Sequence, residues 1–426
     1  MNLTHGLWKK TAPEPQHFNP FEGKTKTDVA IIGGGFTGLS AALHLAEQGT
    51  DALLLEARDI GFGGAGRNVG LVNAGLWLMP EDVISKLGKD MGEELMRVLG
   101  ASPDLVFHLI KKHNIQCEAH RTGTLHCADS RSGYRALQQR EAQWQERGAP
   151  VKLLNRDAAA VQTGSTLFSG ALLDKRAGTV QPLAYAYGLA RAAHGAGARL
   201  HTNSPVTSVR QTANGWELTT TGGVVTAGAV ILATQGYGEH AFKDTTQQMI
   251  PFNYFQFATQ PLPEDILKTV LPGKQGAWDT NLILSSYRLD DAGRLIVGSV
   301  GQLENMTYSL HKNWAKRTIN KVFPQIRNIS LDHAWYGCIA MTTDHIPRFH
   351  ILDPNFITVT SYNGRGIGPG SVMGRLLAEY IKIQDETIIP LPVSQPKNVF
   401  GRRLRGLFYE AGSRIYHFAQ RRVSAF

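Results

Sequence analysis

The sequence predicts an α/β protein: a parallel sheet flanked by helices, joined to a second unit rich in strands. Three observations predict it. Residues 28–56, DVAIIGGGFTGLSAALHLAEQGTDALLLE, read as strand, glycine turn, helix, strand and terminal acid. Apolar strand-like runs recur at 230–233 and 356–361, far along the chain. Between 250 and 300 strand patterns dominate, in NYFQFATQ, NLILSSYRL and RLIVGSV.

The first of these is a βαβ unit for a dinucleotide. Val29–Ile32 is a buried-type run, and Gly33, Gly35 and Gly38 give G-x-G-x-x-G spacing before a helix from Thr37 to about Gln48. Gly33 permits the tight turn, Gly35 lets backbone N–H groups approach a pyrophosphate, and Gly38 lets helix pack on strand. The helix start carries a partial positive charge where phosphates sit. Glu56 ends the second run, Ala52–Leu55, roughly 20 residues on, where an acid accepts from a ribose diol. The chain has one such fingerprint, which points to one tightly held dinucleotide and to an electron acceptor other than a nicotinamide.

The remaining elements follow in order. Residues 1–26 read as an extended arm on the surface, polar and without the apolar stretch of a signal peptide. A glycine cluster, Gly61–Gly70, comes after the βαβ unit. Helical signals cover 81–100, 103–113 and 131–147, interrupted by a strand pair at about 115–128. Short strands at 171–173 and 198–202 flank a helix, Pro182–His194. The stretch 205–232 alternates like a hairpin, with Asn214-Gly215 as its turn, and ends in the strand Val230–Ala233. A helix runs from about Ser371 to Ile383.

Composition narrows the function classes. The chain of 426 residues is 42% hydrophobic and 19% charged, as a globular protein is. Cys117, Cys127 and Cys338 form no C-x-x-C pair, against a disulfide framework or zinc site and for a reducing cytosol. No run approaches the roughly 20 apolar residues that span a bilayer. The net charge is +9, but residues 397–426 hold seven basic residues against one acidic, so the body is nearly neutral and unlike a nucleic-acid binder. In that tail Leu404, Leu407, Phe408, Ala411, Ile415 and Phe418 recur at helical spacing. The helix is expected to dock on the protein's own body, its arginine stems lying along apolar surface; the alternative is peripheral contact with the inner face of a membrane through 402–422.

Several segments, in order, carry a resemblance: IGGGFTGLSAALHLAEQG, EARDIGFGGAGRNVG, GALLDKRAGTVQPLAYAYGLA, ILATQGYG, YRLDDAGRLIVG, WYGCIAMTTDHIPRF and SYNGRGIGPGSVMGRLLAEYI. Together they resemble the D-amino-acid-oxidase-type FAD oxidoreductases, most of all the gamma-glutamylputrescine oxidoreductase branch. The resemblance implies a discontinuous, glutathione-reductase-like Rossmann-type FAD-binding domain from 27–80, 150–240 and 331–395. It implies an α+β substrate domain on a mixed or antiparallel sheet from 81–149 and 241–330, and a basic C-terminal helix in 396–426. It also implies non-covalent FAD, no metal, a cytoplasmic enzyme, a small amine or amino acid substrate, and O2 or a quinone-type partner as acceptor. Gly33, Gly35, Phe36, Thr37 and Gly38 would cradle the pyrophosphate. Glu56, Ala57 and Arg58 would hold the adenosine ribose, with Val206, Ala233 and Thr234 at the same end. Gly66, Arg67 and Asn68 would run toward the flavin ring. Gly337, Gly364, Arg365, Gly366, Ile367 and Gly368 would sit at the ring, where a helix start favours the anionic reduced flavin.

The chemistry so implied is hydride transfer from a neutral amine to flavin N5, then imine hydrolysis. Substrate candidates are Tyr254, Gln256, Tyr287, Arg288, Trp335 and Ile339, with Trp278 as a further aromatic wall. Glycine- and D-amino-acid-oxidising members carry an Arg two residues after the Gly of W-x-G, paired to the α-carboxylate. Here that position is Ile339, which favours an amine or polyamine derivative. Arg288 is the residue that would restore an amino acid substrate, from the sheet side. Asp279 reads as a solvated loop acid rather than a cation anchor, and His345 receives no role. Cys338 lies at an unsuitable spacing from Asp344 for a covalent flavin link. Leu295 and Ile296 stand about where sarcosine oxidase relatives carry a lysine over the ring, which leans toward a dehydrogenase. A non-catalytic flavoprotein module is the reading from another class.

Overall fold

The computed structural model describes residues 4–238, 242–327 and 330–419. Val29–Ile32 are buried on both faces and form the centre of a parallel sheet. Its order is Arg348–Asp353, Phe356–Thr360, Gly223–Leu232, Gly23–Ile32, Ala52–Leu55, Arg199–His201, parallel except for the first strand. The hairpin Val206–Thr212 and Gly215–Thr220, turning at Asn214-Gly215, pairs antiparallel onto Gly223–Leu232. Continuous apolar strands are what a sheet covered on both sides requires.

Three helices cover the face behind the fingerprint: Phe36–Glu47, Pro182–Gly195 and Ile367–Ile383. The first and last approach closely because Gly374 is small; a Cβ there would lie 2.3 Å from the Thr37 carbonyl oxygen. The helical signal over 81–100 is two helices, Pro80–Leu87 and Lys89–Gly100, broken at Gly88, whose φ is 81°. Left-handed backbone there ends the first helix, and glycine takes it without a Cβ penalty.

The second sheet runs Leu331–Met341, Ile250–Pro261, Arg294–Val300, Ser285–Leu289, Gly276–Asp279, Thr124–Ala128, Gly170–Asp174, Val151–Asn155. It is antiparallel apart from the pairing of Gly276–Asp279 with Thr124–Ala128. Alternation splits its residues: Phe255, Phe257, Tyr287 and Val297 pack under the helix Asn305–Val322, and the other face looks toward the dinucleotide fingerprint.

Three boundaries differ from the sequence reading. The strands Val151–Asn155, Gly170–Asp174 and Leu331–Met341 belong to the second sheet, so 150–174 and 331–341 leave the cofactor sheet. Antiparallel pairing with Thr124–Ala128 and Ile250–Pro261 claims their backbone groups, and strand patterns do not name partners. The region 115–128 holds one strand, Thr124–Ala128, with His120 making an isolated bridge to Thr179 in place of a second. The N-terminal arm is not wholly extended. It forms the helix Leu7–Thr11, whose Leu7 and Trp8 are fully buried, and burying Leu7 alone stabilises by about 1.5–3 kcal/mol.

Candidate functional site

Two glycines of the fingerprint, Gly33 and Gly38, stand where a side chain would collide with backbone. Gly33 has φ 111°, and a Cβ on it would lie 2.9 Å from the Ala233 carbonyl oxygen. At Gly38 a Cβ would lie 2.0 Å from the Gly33 carbonyl oxygen, so only glycine lets the helix cross its strand. Gly35 is the N-cap, with no side-chain cap, which leaves the first helical N–H groups for a ligand. Glu56 Oε2 accepts from Gly34 N–H at 2.6 Å and Oε1 from Arg58 N–H at 2.9 Å. Burial raises this carboxyl while the two backbone donors lower it. Each oxygen keeps lone pairs for a ribose diol.

From Glu56 a cavity of about 1470 Å3 runs between the two sheets to the C-terminal helix. That exceeds the roughly 300–1,000 Å3 of a drug-sized site and suits an elongated dinucleotide with a substrate beyond it. Gly33, Gly35, Phe36, Thr37, Glu56, Ala57, Arg58, Val206, Ala233 and Thr234 line one end. Arg67, Asn68, Gly337, Gly364, Gly366 and Ile367 line the middle.

The Arg67–Asn68 wall is braced from behind. Trp8 Nε1 donates to the Asn68 carbonyl at 2.9 Å and Trp335 Nε1 to the Arg67 carbonyl at 3.1 Å, with the two indoles edge to face. Arg67 donates to the carbonyls of Phe62 and, at 3.2 Å, Thr4, and its guanidinium lies 4.3 Å from the Phe62 ring centre. Gly364 has φ 87°, and the helix Ile367–Ile383 begins at Gly366 without a side-chain cap. A Cβ at Gly366 would meet nothing within 4 Å, which leaves that backbone open to a ligand.

The remaining cofactor candidates lie beneath the wall. Gly38 is the crossing point, and a Cβ at Gly66 would lie 2.3 Å from the Gly61 carbonyl oxygen. Gly368 packs on the next helix, where a Cβ would lie 2.4 Å from Ser102 Oγ. Arg365 turns away, donating to the Ala74 carbonyl at 2.6 Å behind Trp77, and burial lowers it to about 9.

Of the substrate candidates, Tyr254, Gln256 and Ile339 reach the cavity, together with Trp278. Tyr254 donates to Ser286 Oγ at 2.9 Å. Gln256 is 1% exposed, and its Oε1 has no partner among the described residues. Tyr287, Arg288 and Trp335 do not reach it. Tyr287 points to the opposite face of its sheet, against Phe323. Arg288 is fully buried and donates to the Val180 and Gly70 carbonyls, with Trp8 under its guanidinium. Trp335 serves as the brace described above.

Other expectations shift as well. Asp279 is 4% exposed, not solvated; it accepts from the N–H groups of Asn281 and Ser285, and burial raises it to about 6. Leu295 and Ile296 are buried away from the cavity, and their strand meets it at Val300 instead. Cys338 lines the cavity with its thiol raised by burial. His345 lines it too, with φ 61° and an unpartnered Nδ1. Sequence reasoning missed Trp77, Tyr237 and the C-terminal helix as wall. Tyr237 stands in the ILATQGYG motif, and its hydroxyl accepts from Cys338 N–H at 2.8 Å. Among the described residues no cluster of His, Cys, Asp and Glu is arranged for a metal, and no helix is long and apolar enough to cross a membrane.

A family model, DAO, FAD dependent oxidoreductase, matches residues 28–380. The chain is similar to gamma-glutamylputrescine oxidoreductase of Escherichia coli (strain K12), 31% identical with 98% of each chain covered. It is similar also to probable oxidoreductase OrdL of Haemophilus influenzae, 30% identical with 94% of each covered. Among solved structures, glycine oxidase from Geobacillus kaustophilus shares the fold at a TM-score of 0.71 and 19% identity, over 88% of this chain and 99% of that one. Fingerprint, cavity and comparisons agree that this chain belongs to the DAO family of FAD dependent oxidoreductases, an enzyme whose cofactor is FAD.

Proposed function

We propose that this enzyme oxidises the C–N bond of an amine of the polyamine or gamma-glutamyl-amine type, giving an imine that hydrolyses to an aldehyde. One observation carries the reading. The position where amino-acid-oxidising relatives would present an Arg is Ile339, an aliphatic wall, and the other candidate, Arg288, stands outside the cavity, donating from Nη1 to backbone carbonyls. An α-carboxylate brought to that end would be desolvated without a partner, at a cost of several kcal/mol. The name of the Escherichia coli relative, a gamma-glutamylputrescine oxidoreductase, supports the same substrate class.

Held there, FAD would supply a hydride acceptor for the carbon beside nitrogen. The chain's residues do the rest. Gly33, Gly35 and the start of the helix Phe36–Glu47 hold the pyrophosphate, and Glu56 holds the adenosine ribose. The uncapped start of Ile367–Ile383 brings a positive dipole end to the flavin end, where negative charge collects on reduction. Gln256 Oε1 accepts from the substrate N–H and so orients the neutral amine. Trp77, Trp278 and Tyr254 wall the cavity there and exclude water. Reoxidation would take O2 or a quinone-type partner as the electron acceptor. The enzyme works in the cytosol, either free or against the inner face of the membrane.

The test is anaerobic bleaching of the holoenzyme's flavin. Polyamines or gamma-glutamyl-polyamines are expected to bleach it, and D-amino acids, sarcosine and proline to leave it oxidised. Bleaching by the amino acids and not by the amines would replace this reading with an amino acid dehydrogenase.

A further inference from the structure

The C-terminal helix Arg402–Ala419 is docked inside out. Its buried residues are Gly406, Glu410, Ser413 and His417, a polar and small stripe. Glu410 accepts from Asn253 Nδ2 at 2.9 Å and from Gln302 N–H at 3.2 Å, and His417 meets His311 at 2.9 Å. At Gly406 a Cβ would lie 3.0 Å from the Pro251 carbonyl oxygen, so the helix sits tightly on that strand. The apolar stripe faces outward: Leu404 is 71% exposed, Leu407 62%, Ile415 69% and Phe418 52%. Seven of the eleven exposed large hydrophobics among the described residues lie between Phe400 and Phe418. A soluble surface rarely concentrates them so.

We propose that this stripe lies on an anionic lipid bilayer, with the cavity mouth held at the membrane surface. Charge complementarity chooses the occupant. Helical periodicity sets Arg403 and Arg414 along one border of the stripe and Arg405 along the other, all exposed. The sequence continues with Arg421 and Arg422. Apolar side chains flanked by arginines match an interface of acyl chains and anionic headgroups. A second copy of the chain would bring the same arginines against one another, on a protein of net charge +9. The helix also bounds the cavity: Phe408, Tyr409, Ala411, Gly412, Ile415 and Tyr416 line its rim, so part of the stripe borders the entrance, beside Leu282, which is 98% exposed. A bilayer that accepts Leu404, Leu407 and Phe418 therefore lies next to the entrance.

The inference deepens the membrane-face alternative above and is independent of which amine is oxidised, so its test leaves the bleaching result standing. Purified holoenzyme is mixed with vesicles of phosphatidylglycerol or of phosphatidylcholine and floated on a gradient. Flotation is expected with phosphatidylglycerol only. Leu404→Gln/Leu407→Gln/Phe418→Gln should abolish it while flavin content and elution volume stay unchanged. Arg403→Gln/Arg405→Gln should weaken partition roughly thirtyfold, from about 1 kcal/mol per arginine. A fluorophore on Leu407→Cys gives a second measurement, a blue shift with phosphatidylglycerol vesicles. No flotation and no shift overturns the proposal, as does flotation undiminished in the triple variant. Concentration-dependent self-association that the triple variant removes, without flotation, assigns the stripe to a second copy and overturns it equally.

Discussion

Acid should release the C-terminal helix, because two buried histidines hold it. His417 and His311, on the helix Asn305–Val322, meet Nδ1 to Nδ1 at 2.9 Å, and both are fully buried. One ring donates and the other accepts, so a further proton sets two N–H groups against each other. Burial lowers His311 to about 4, with Arg414 adding repulsion, and His417 to about 3, with His311 and Arg317 adding theirs. Their other neighbours are neutral: Ser299 Oγ at 3.2 Å from His417 Nε2, and the rings of Phe255 and Trp314. A released helix would return His417 to its ordinary value near 6.5. Between about 6.5 and about 4 the released state binds more protons, so docking is intact at neutral pH and weakens as pH falls through that window. Counting the coupled pair as one proton, a site lowered to about 4 costs about 2 kcal/mol at about pH 5, or ~30-fold more undocked helix. Glu410, raised by burial, takes up its proton on the docked side and so opposes the loss. Hydrogen exchange across Arg402–Ala419, corrected for the intrinsic pH dependence, measures the change. His417→Phe, which keeps a ring against Trp314, should flatten the profile. Equal protection at about pH 5 and about pH 7.5 in the unmodified protein would refute the reasoning.

Three further outcomes are expected. Glu56→Gln removes a charge-assisted acceptor and should weaken FAD binding by ~30-fold, about 2 kcal/mol, in fluorescence titrations of deflavinated protein; a change under about threefold would sink the assignment. Gly38→Ala places its Cβ 2.0 Å from the Gly33 carbonyl oxygen, so it should purify with little flavin and melt several degrees lower, an overpacking cost of about 1–3 kcal/mol; full yellow colour at unchanged melting would count against the tight crossing. Ile339→Arg puts a guanidinium on the wall near Gly364 and should shift relative kcat/KM toward amino acids by about tenfold or more, the scale of one charged hydrogen bond, read by anaerobic bleaching rates. No shift would mean that Ile339 does not set the class.

The part of the site built by local rules could be read from residues alone. The run from Val29 to Glu56 is contiguous, and the tightest constraint in it is local, Gly38 against the Gly33 carbonyl five residues earlier; the contact of Gly33 with the Ala233 carbonyl is not, and needs the neighbouring strand. Arg288 could not be read that way. Its strand is recognisable, but whether the guanidinium meets a substrate or the Val180 carbonyl depends on a loop more than a hundred residues earlier. The same limit moved Val151–Asn155 and Gly170–Asp174 to the other sheet, since a strand pattern states which residues share a face and not which strand lies beside it. The C-terminal helix is the sharpest case. Its apolar stripe is legible by period and the helix docks on the protein's own body as expected, but it does so through the opposite, polar face. Burial of a helix face requires only that its polar groups find partners and its backbone come close. Glu410 finds Asn253 and Gln302, His417 finds His311, and Gly406 supplies the approach. A face of that kind commits four residues to one partner and leaves the apolar stripe unspent. An unspent stripe bordered by arginines is a surface that the chain maintains against its own solubility, and such a surface calls for an occupant outside the chain.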